Sequence, residues 1–203
     1  MYAEKWYPIV LPFETSVKEV SEAFGYAIVN VLKEDNDNAK KIAFKLYMQN
    51  IPANTPFVVK VYEETNMNSV SFYDKLIVNS AAPVVADEAG VKFIGSYSHK
   101  VGFKANEAFF SASEDRNDYY WGSATNSTYM APLGAYFQLP EGAPARTITF
   151  QEADGSTTAI DAITTANEVK NAEGWYTING MKLENAPVEK GIYINNGKKI
   201  VIK

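Results

Sequence analysis

The chain of 203 residues contains no cysteine and a single histidine, His99. The first absence removes disulfides, thiolate nucleophiles and thiolate metal ligands. The second leaves one imidazole, too few for a zinc site built from nitrogen and sulfur. No G-x-S-x-G, G-x-G-x-x-G or P-loop spacing occurs, so no nucleophile elbow, dinucleotide fold or phosphate cradle is written here. No apolar run approaches the roughly 18 residues of a spanning helix. Charge is mixed: 19 Lys and Arg face 24 Asp and Glu, net −5, and no basic stripe invites nucleic acid. Met1 passes almost at once into WYPIVLPF with no leader pattern. Either the protein stays in the cell, or it is a mature piece of a longer exported chain.

What is present is apolar and aromatic. Hydrophobic residues make up 46% and aromatic ones 13%, with 13 Tyr and 11 Phe, a globular composition that favours strands. One segment reads as helix. Ser16 can cap it with Glu19 completing a capping box, Val17, Val20, Ala23 and Phe24 share a face, and Gly25 is placed to end it. Elsewhere the period is two. Trp6 to Phe13, with Pro8 and Pro12, reads as an edge strand. Tyr26 to Leu32 and Ile42 to Met48 read as a hairpin across the polar KEDNDNAKK. Phe57 to Tyr62, Val70 to Val78, Val91 to Tyr97, Lys100 to Lys104 and Glu107 to Ser111 are further strands. Ala135 to Leu139 and Arg146 to Gln151 read as one more hairpin across PEGAPA.

The last residues are patterned to be ordered, although chain ends usually fray. WYTINGMKL centres on Asn179-Gly180, a strong hairpin signal. A two-residue turn there faces Tyr176 with Leu183 and Thr177 with Lys182. In KGIYINNGKKIVIK a three-residue loop pairs Ile192 with Ile200; a two-residue turn at Asn196-Gly197 is the competing register. Such small hairpins need a further apolar surface to be stable.

These two motifs, together with WYPIVLPF, IPANTPFVVKV and GAYFQLPEGAPARTITF, resemble the C-terminal region of exported surface proteins of the Bacteroidetes. The resemblance touches most of the chain. It implies an accessory block closing a longer protein, export, and a place at the cell surface, with no reaction attached. The tail is also similar to the C-terminal sorting domains of type IX secretion. Those domains carry more strands than the stretch after Asp154 has room for.

Candidate chemistry is sparse. His99, in SYSHK, reads as a surface histidine. Asp35-Asn36-Asp37-Asn38 begins like a calcium loop but lacks its later Gly and Glu, and reads as a solvated turn. The richest patch is Asp115, Asp118, Tyr119, Tyr120 and Trp121. Carboxylates beside rings can bind sugar hydroxyls and stack on a pyranose face, or form a glycosidase pair at a working separation. The plainer reading, and the favoured one, is that Tyr120 and Trp121 pack inward while the acids decorate a loop. Asn126-Ser127-Thr128 matches a glycosylation sequon.

The expected fold is mainly β. Residues 1–152 form an antiparallel β-sandwich, jelly-roll or immunoglobulin-like, with one short helix. Residues 153–173 form a linker with one strand, and 174–203 a small C-terminal β-hairpin unit. The expected function is a non-catalytic, adhesin-like module of an exported cell-surface protein, with the tail for anchoring, sorting or assembly. A carbohydrate-binding module using Asp115, Asp118, Tyr119, Tyr120 and Trp121 is the alternative, and a glycoside hydrolase the third. No cofactor, metal, nucleic acid or membrane span is expected; a surface glycan or another surface protein is the expected partner.

Overall fold

A computed structural model of the chain describes residues 1–38, 40–78, 83–115, 117–121, 129–143, 146–160, 162–164, 175–177, 182–183, 185, 187, 191–195 and 198–202. The chain divides into two compact units, Met1–Ile163 and Thr164–Lys203. Two six-stranded sheets dominate the first. One runs in the order β1 (Lys5–Ile9), β6 (Phe57–Val61), β3 (Ala27–Leu32), β4 (Lys41–Leu46), β14 (Thr147–Gln151), β15 (Thr157–Ile160). The other runs β16 (Ala162–Thr164), β11 (Asn117–Trp121), β10 (Glu107–Ala112), β13 (Gly134–Gln138), β8 (Lys92–Ser96), β7 (Val84–Ala86). Two short ladders complete the unit: β2 (Thr15–Ser16) with β5 (Asn50–Ile51), and β9 (Lys100–Val101) with β12 (Tyr129–Met130). The described pairings are antiparallel except β4 with β14, which run parallel. The molecule is thus the mainly β, sandwich-like fold that the alternation implies.

The sheets close over aromatic rings. Phe44 and Phe150 of the first sheet meet Phe93, Phe137 and Phe110 of the second at centroid separations of 5.3, 6.1 and 5.7 Å. Trp6 stacks on Phe150 at 4.5 Å. These rings are buried because they occupy every second position: Ile148 and Phe150 on β14, Ala135 and Phe137 on β13. The first sheet is also covered outside. Val58 faces the inter-sheet core, while Phe57, Val59 and Val61 join Val20 and Phe24 beneath α1 (Val17–Ala23). Burial on both faces explains why Phe57–Val61 reads as an almost continuous apolar run.

Helix α1 begins and ends as its residues dictate. The Ser16 hydroxyl accepts from the Glu19 N–H at 3.2 Å, and the Glu19 carboxylate accepts from the Ser16 N–H at 2.8 Å. At the other end Gly25 takes φ 68°, and the Tyr26 N–H reaches back to Ser21 O at 2.9 Å, a Schellman closure.

Two asparagines replace ladder bonds where strands part. Asn30 is fully buried; its side chain donates to Gln151 O at 3.0 Å and accepts from Gln151 N–H at 2.9 Å. Asn117 does the same for Trp6, at 2.8 and 2.9 Å. Trp6 and Val10 both point their N–H away from β6, toward Asn117 and Leu133. Pro8, in phase with them, stands where the outer edge of β1 would otherwise present an N–H.

Several neighbours differ from the sequence reading. β13 and β14 do not pair: the first lies between β10 and β8, the second between β4 and β15. The two strands therefore belong to different sheets, and a tight turn at Asp154-Gly155 (φ 84°) joins β14 to β15. β9 pairs with β12 rather than with β10. Val70–Val78 is not a strand. After a 3₁₀ turn at Met67–Ser69 it crosses the face of α1, with Phe72 5.2 Å from Phe13 and the Val78 N–H on Pro12 O at 2.6 Å. Its apolar residues cover a surface rather than fill a sheet. The polar turn after β3 is not wholly solvated: Asn36 is buried and donates to Asp87 and to Lys41 O. The stretch 153–173 contributes β15 and β16 to the two sheets; its residues 165–173 lie outside the described residues.

The second unit is a four-stranded sheet, β18 (Lys182–Leu183), β17 (Trp175–Thr177), β19 (Gly191–Asn195), β20 (Lys198–Ile202). β17 pairs Tyr176 with Lys182, one residue out from the expected Tyr176–Leu183 register. β19 pairs Ile192 with Val201 and Asn195 with Lys198, so the competing shorter-loop register holds in place of Ile192–Ile200. β17 also pairs with β19, Tyr176 opposite Ile194. β17 and β19 each have two neighbours, so their registers must suit both at once.

Candidate functional site

The sequence patch is placed first. Asp115 is exposed, and its carbonyl accepts from Lys5 Nζ at 2.9 Å. Asp118, Tyr119, Tyr120 and Trp121 lie on β11, opposite Ser111, Phe110, Phe109 and Ala108. Positions opposite each other share a face of a sheet. Phe110 and Ala108 belong to the buried core, whereas Ser111 is exposed. The side chains of 118–121, and the sequon at 126–128, lie outside the described residues. His99 is exposed, its ring 6.4 Å from that of Tyr129. Among the described residues no group of three or more His, Asp or Glu is placed to hold a metal, and no helix is long and apolar enough to cross a membrane.

A groove of about 720 Å³ lies on the outer side of the first sheet, between α1 and the ends of β3 and β4. Its floor is Val29 and Leu46; Val17 and Ser21 of α1 form one wall, Tyr47 and Met48 another. Tyr26, which also lines the groove, is 73% exposed, and Met48 is 75% exposed. Lys18 and Glu22 lie one helical turn apart on the groove's rim, 3.7 Å from each other and open to solvent.

Tyr26 carries backbone strain. Its φ of 62° is left-handed, where Cβ crowds the following carbonyl; Gly or Asn is the usual occupant. The surroundings force it. The Tyr26 N–H is held by Ser21 O, Tyr26 O accepts from the Tyr62 N–H at 3.0 Å, and the next N–H, of Ala27, is held by the Ser21 hydroxyl at 3.2 Å. Across the groove the Tyr47 N–H is fixed to Val29 O at 2.9 Å and its hydroxyl donates to Asn50 O at 3.1 Å. Both residues are therefore carried on backbone fixed by hydrogen bonds.

A second, more apolar cleft of about 560 Å³ lies between Tyr7, Phe13 and Phe72 on one side and Tyr129 to Gly134 on the other. Leu133 at its rim is also left-handed, with φ 65°.

Several charged groups elsewhere are paired. Glu107 is 3% exposed and accepts from Lys100 Nζ and the Lys104 N–H, each at 2.9 Å. Lys100 Nζ sits 4.4 Å from the Tyr136 ring centroid and 5.0 Å from that of Phe103. Burial, then the Glu107 charge, raises the Tyr136 pKa. Lys60 bridges Glu4 and Glu152 at 2.9 and 3.1 Å. Burial pulls its pKa down, but the two carboxylates more than offset this and hold it above its ordinary value. The Lys75 ammonium beside Glu19, with help from Ser16, brings that carboxyl down to about 2. These pairs tie loops to the sheets: Lys100 anchors β9, and Lys75 anchors the segment after Phe72.

Tyr26 was not marked out by the sequence, where it reads as the first residue of a strand. The only hint is its place directly after the helix-ending Gly25. Tyr47 read as one member of an alternating strand. No family model, no curated protein and no solved structure matches the chain.

Proposed function

We propose that the chain is a non-catalytic binding module of an exported cell-surface protein, in which the sandwich carries the binding face and the C-terminal unit serves attachment, sorting or assembly. The supporting observation is the division of the chain. One unit is a sandwich closed over packed rings, with a groove on the outer side of its first sheet. The other is a separate four-stranded sheet of short strands. The resemblance of WYTINGMKL and KGIYINNGKKIVIK to surface-protein termini points the same way.

The test is protease accessibility on intact source cells, with and without residues 164–203. Cleavage of the wild type at the surface, and loss of surface retention in the deletion, are expected. Recovery of the wild type only from the cytoplasm would end the surface reading; unchanged retention of the deletion would end the tail's role. Carbohydrate binding is the second reading, and the observation favouring it is the exposed Tyr26 ring beside the groove.

A further inference from the structure

We infer that the groove between α1 and the β3–β4 ends is a carbohydrate-binding site, with Tyr26 and Tyr47 as the stacking rings and Lys18 and Glu22 as the hydroxyl-binding rim. This rests on the binding-module reading and names the ligand class of its groove.

Strain comes first. A left-handed Tyr costs free energy that Gly or Asn would avoid, and a residue left 73% exposed regains little by burial. Strained residues held by an over-determined backbone concentrate at ligand sites. Here three hydrogen bonds around Ser21 and Tyr62 fix Tyr26 in that state. The cost is explained if the ring is needed outside, facing a ligand.

Charge decides the class. The rim carries Lys18 and Glu22 as neighbours of opposite sign, so it has no net preference for an anion or a cation. Both are exposed and their mutual pairing is weak, which leaves donors and an acceptor ready for neutral hydroxyls. The Tyr47 hydroxyl donates to Asn50 O and keeps its oxygen free to accept. A neutral ligand with an apolar face for the rings and a polar edge for the rim is a sugar. An acyl chain suits the second, more apolar cleft better. The volume, about 720 Å³, lies within the roughly 300–1,000 Å³ of small-molecule sites.

The experiment uses the full chain on an array of neutral hexose and N-acetylhexosamine oligosaccharides, followed by calorimetric titration with the strongest binder. Tyr26→Asn, Tyr47→Ala, Tyr120→Ala and Trp121→Ala are compared. Binding by the wild type, with roughly tenfold or greater loss in Tyr26→Asn and Tyr47→Ala, is expected. Tyr26→Asn should melt no lower than the wild type, so its loss of binding cannot be unfolding. Loss confined to Tyr120→Ala and Trp121→Ala would overturn the groove while leaving a glycan-binding module. No binding to any neutral oligosaccharide would overturn the inference outright, and cell-surface accessibility then decides separately whether the module reading stands.

Discussion

Replacing Lys100 by Met should cost about 3 kcal/mol of stability, and the reason is Glu107. That carboxylate is 3% exposed and has two partners, Lys100 Nζ and the Lys104 N–H. Methionine keeps the length and apolar stem of lysine but removes the countercharge. Breaking one side of a buried pair typically costs about 3–5 kcal/mol, because the remaining charge is stranded. The Lys100 side chain is 20% exposed, so water reaches part of the site and the lower end applies. Loss of the contact with the Tyr136 ring at 4.4 Å adds to the cost. The discriminating variant is the double one, Lys100→Met with Glu107→Leu. It strands no charge but gives up the Lys104 hydrogen bond and the Lys100 contact with the Tyr136 ring, so it should lose about 2 kcal/mol. Urea unfolding of the wild type, both single variants and the double variant gives the coupling directly. A single Lys100→Met cost below about 1 kcal/mol, or a double variant worse than the single, would refute the reasoning.

Acid should weaken the hold of Lys75 and Ser16 on Glu19. The carboxyl is depressed from 4.5 to about 2. Its contribution is present above about pH 4.5 and is lost as pH falls toward 2. The side chain is 42% exposed, so screening reduces the contribution to about 1 kcal/mol. Glu19→Gln should therefore flatten the urea-midpoint profile between pH 4.5 and 2; an unaltered profile would contradict the assignment. Asn30→Ala should cost about 2–4 kcal/mol, since it leaves the N–H and C=O of Gln151 unpaired in a dry site. Faster hydrogen exchange at the Gln151 amide should accompany it, and a loss under about 1 kcal/mol would show that the site takes up water.

The sequence carried local information well and neighbour information poorly. Ser16, Glu19 and Gly25 specify the helix because caps act within one turn of chain. Alternation at Ile148–Phe150 and Ala135–Phe137 specifies which side chains face inward. It does not say which strand lies alongside. Pro140 to Pro144 looks like a hairpin loop, yet the residues on either side belong to opposite sheets, a choice made by the packing of Phe137 against Phe44 and of Phe150 against Trp6. Val70–Val78 has the apolar content of a strand, but it is used to cover α1. In the tail, Asn-Gly marks where the chain turns but does not say which of two registers the strands take. The groove was hidden for a related reason: the backbone of Tyr26 is held in part by Tyr62, a residue that no local pattern connects to it.

The account depends on the chain crossing between sheets so that β14 returns to the first sheet, parallel to β4, with Thr149 opposite Ala43. The absence of native cysteine makes this directly measurable. An Ala43→Cys, Thr149→Cys pair should oxidise readily to an intramolecular disulfide, because adjacent strands lie within the roughly 4.4–6.8 Å Cα separation such a bond needs. A Tyr136→Cys, Thr149→Cys pair tests the hairpin alternative, in which those two positions would face each other, and it should stay reduced. A disulfide in the second pair and none in the first would contradict the fold on which the groove and its proposed ligand rest.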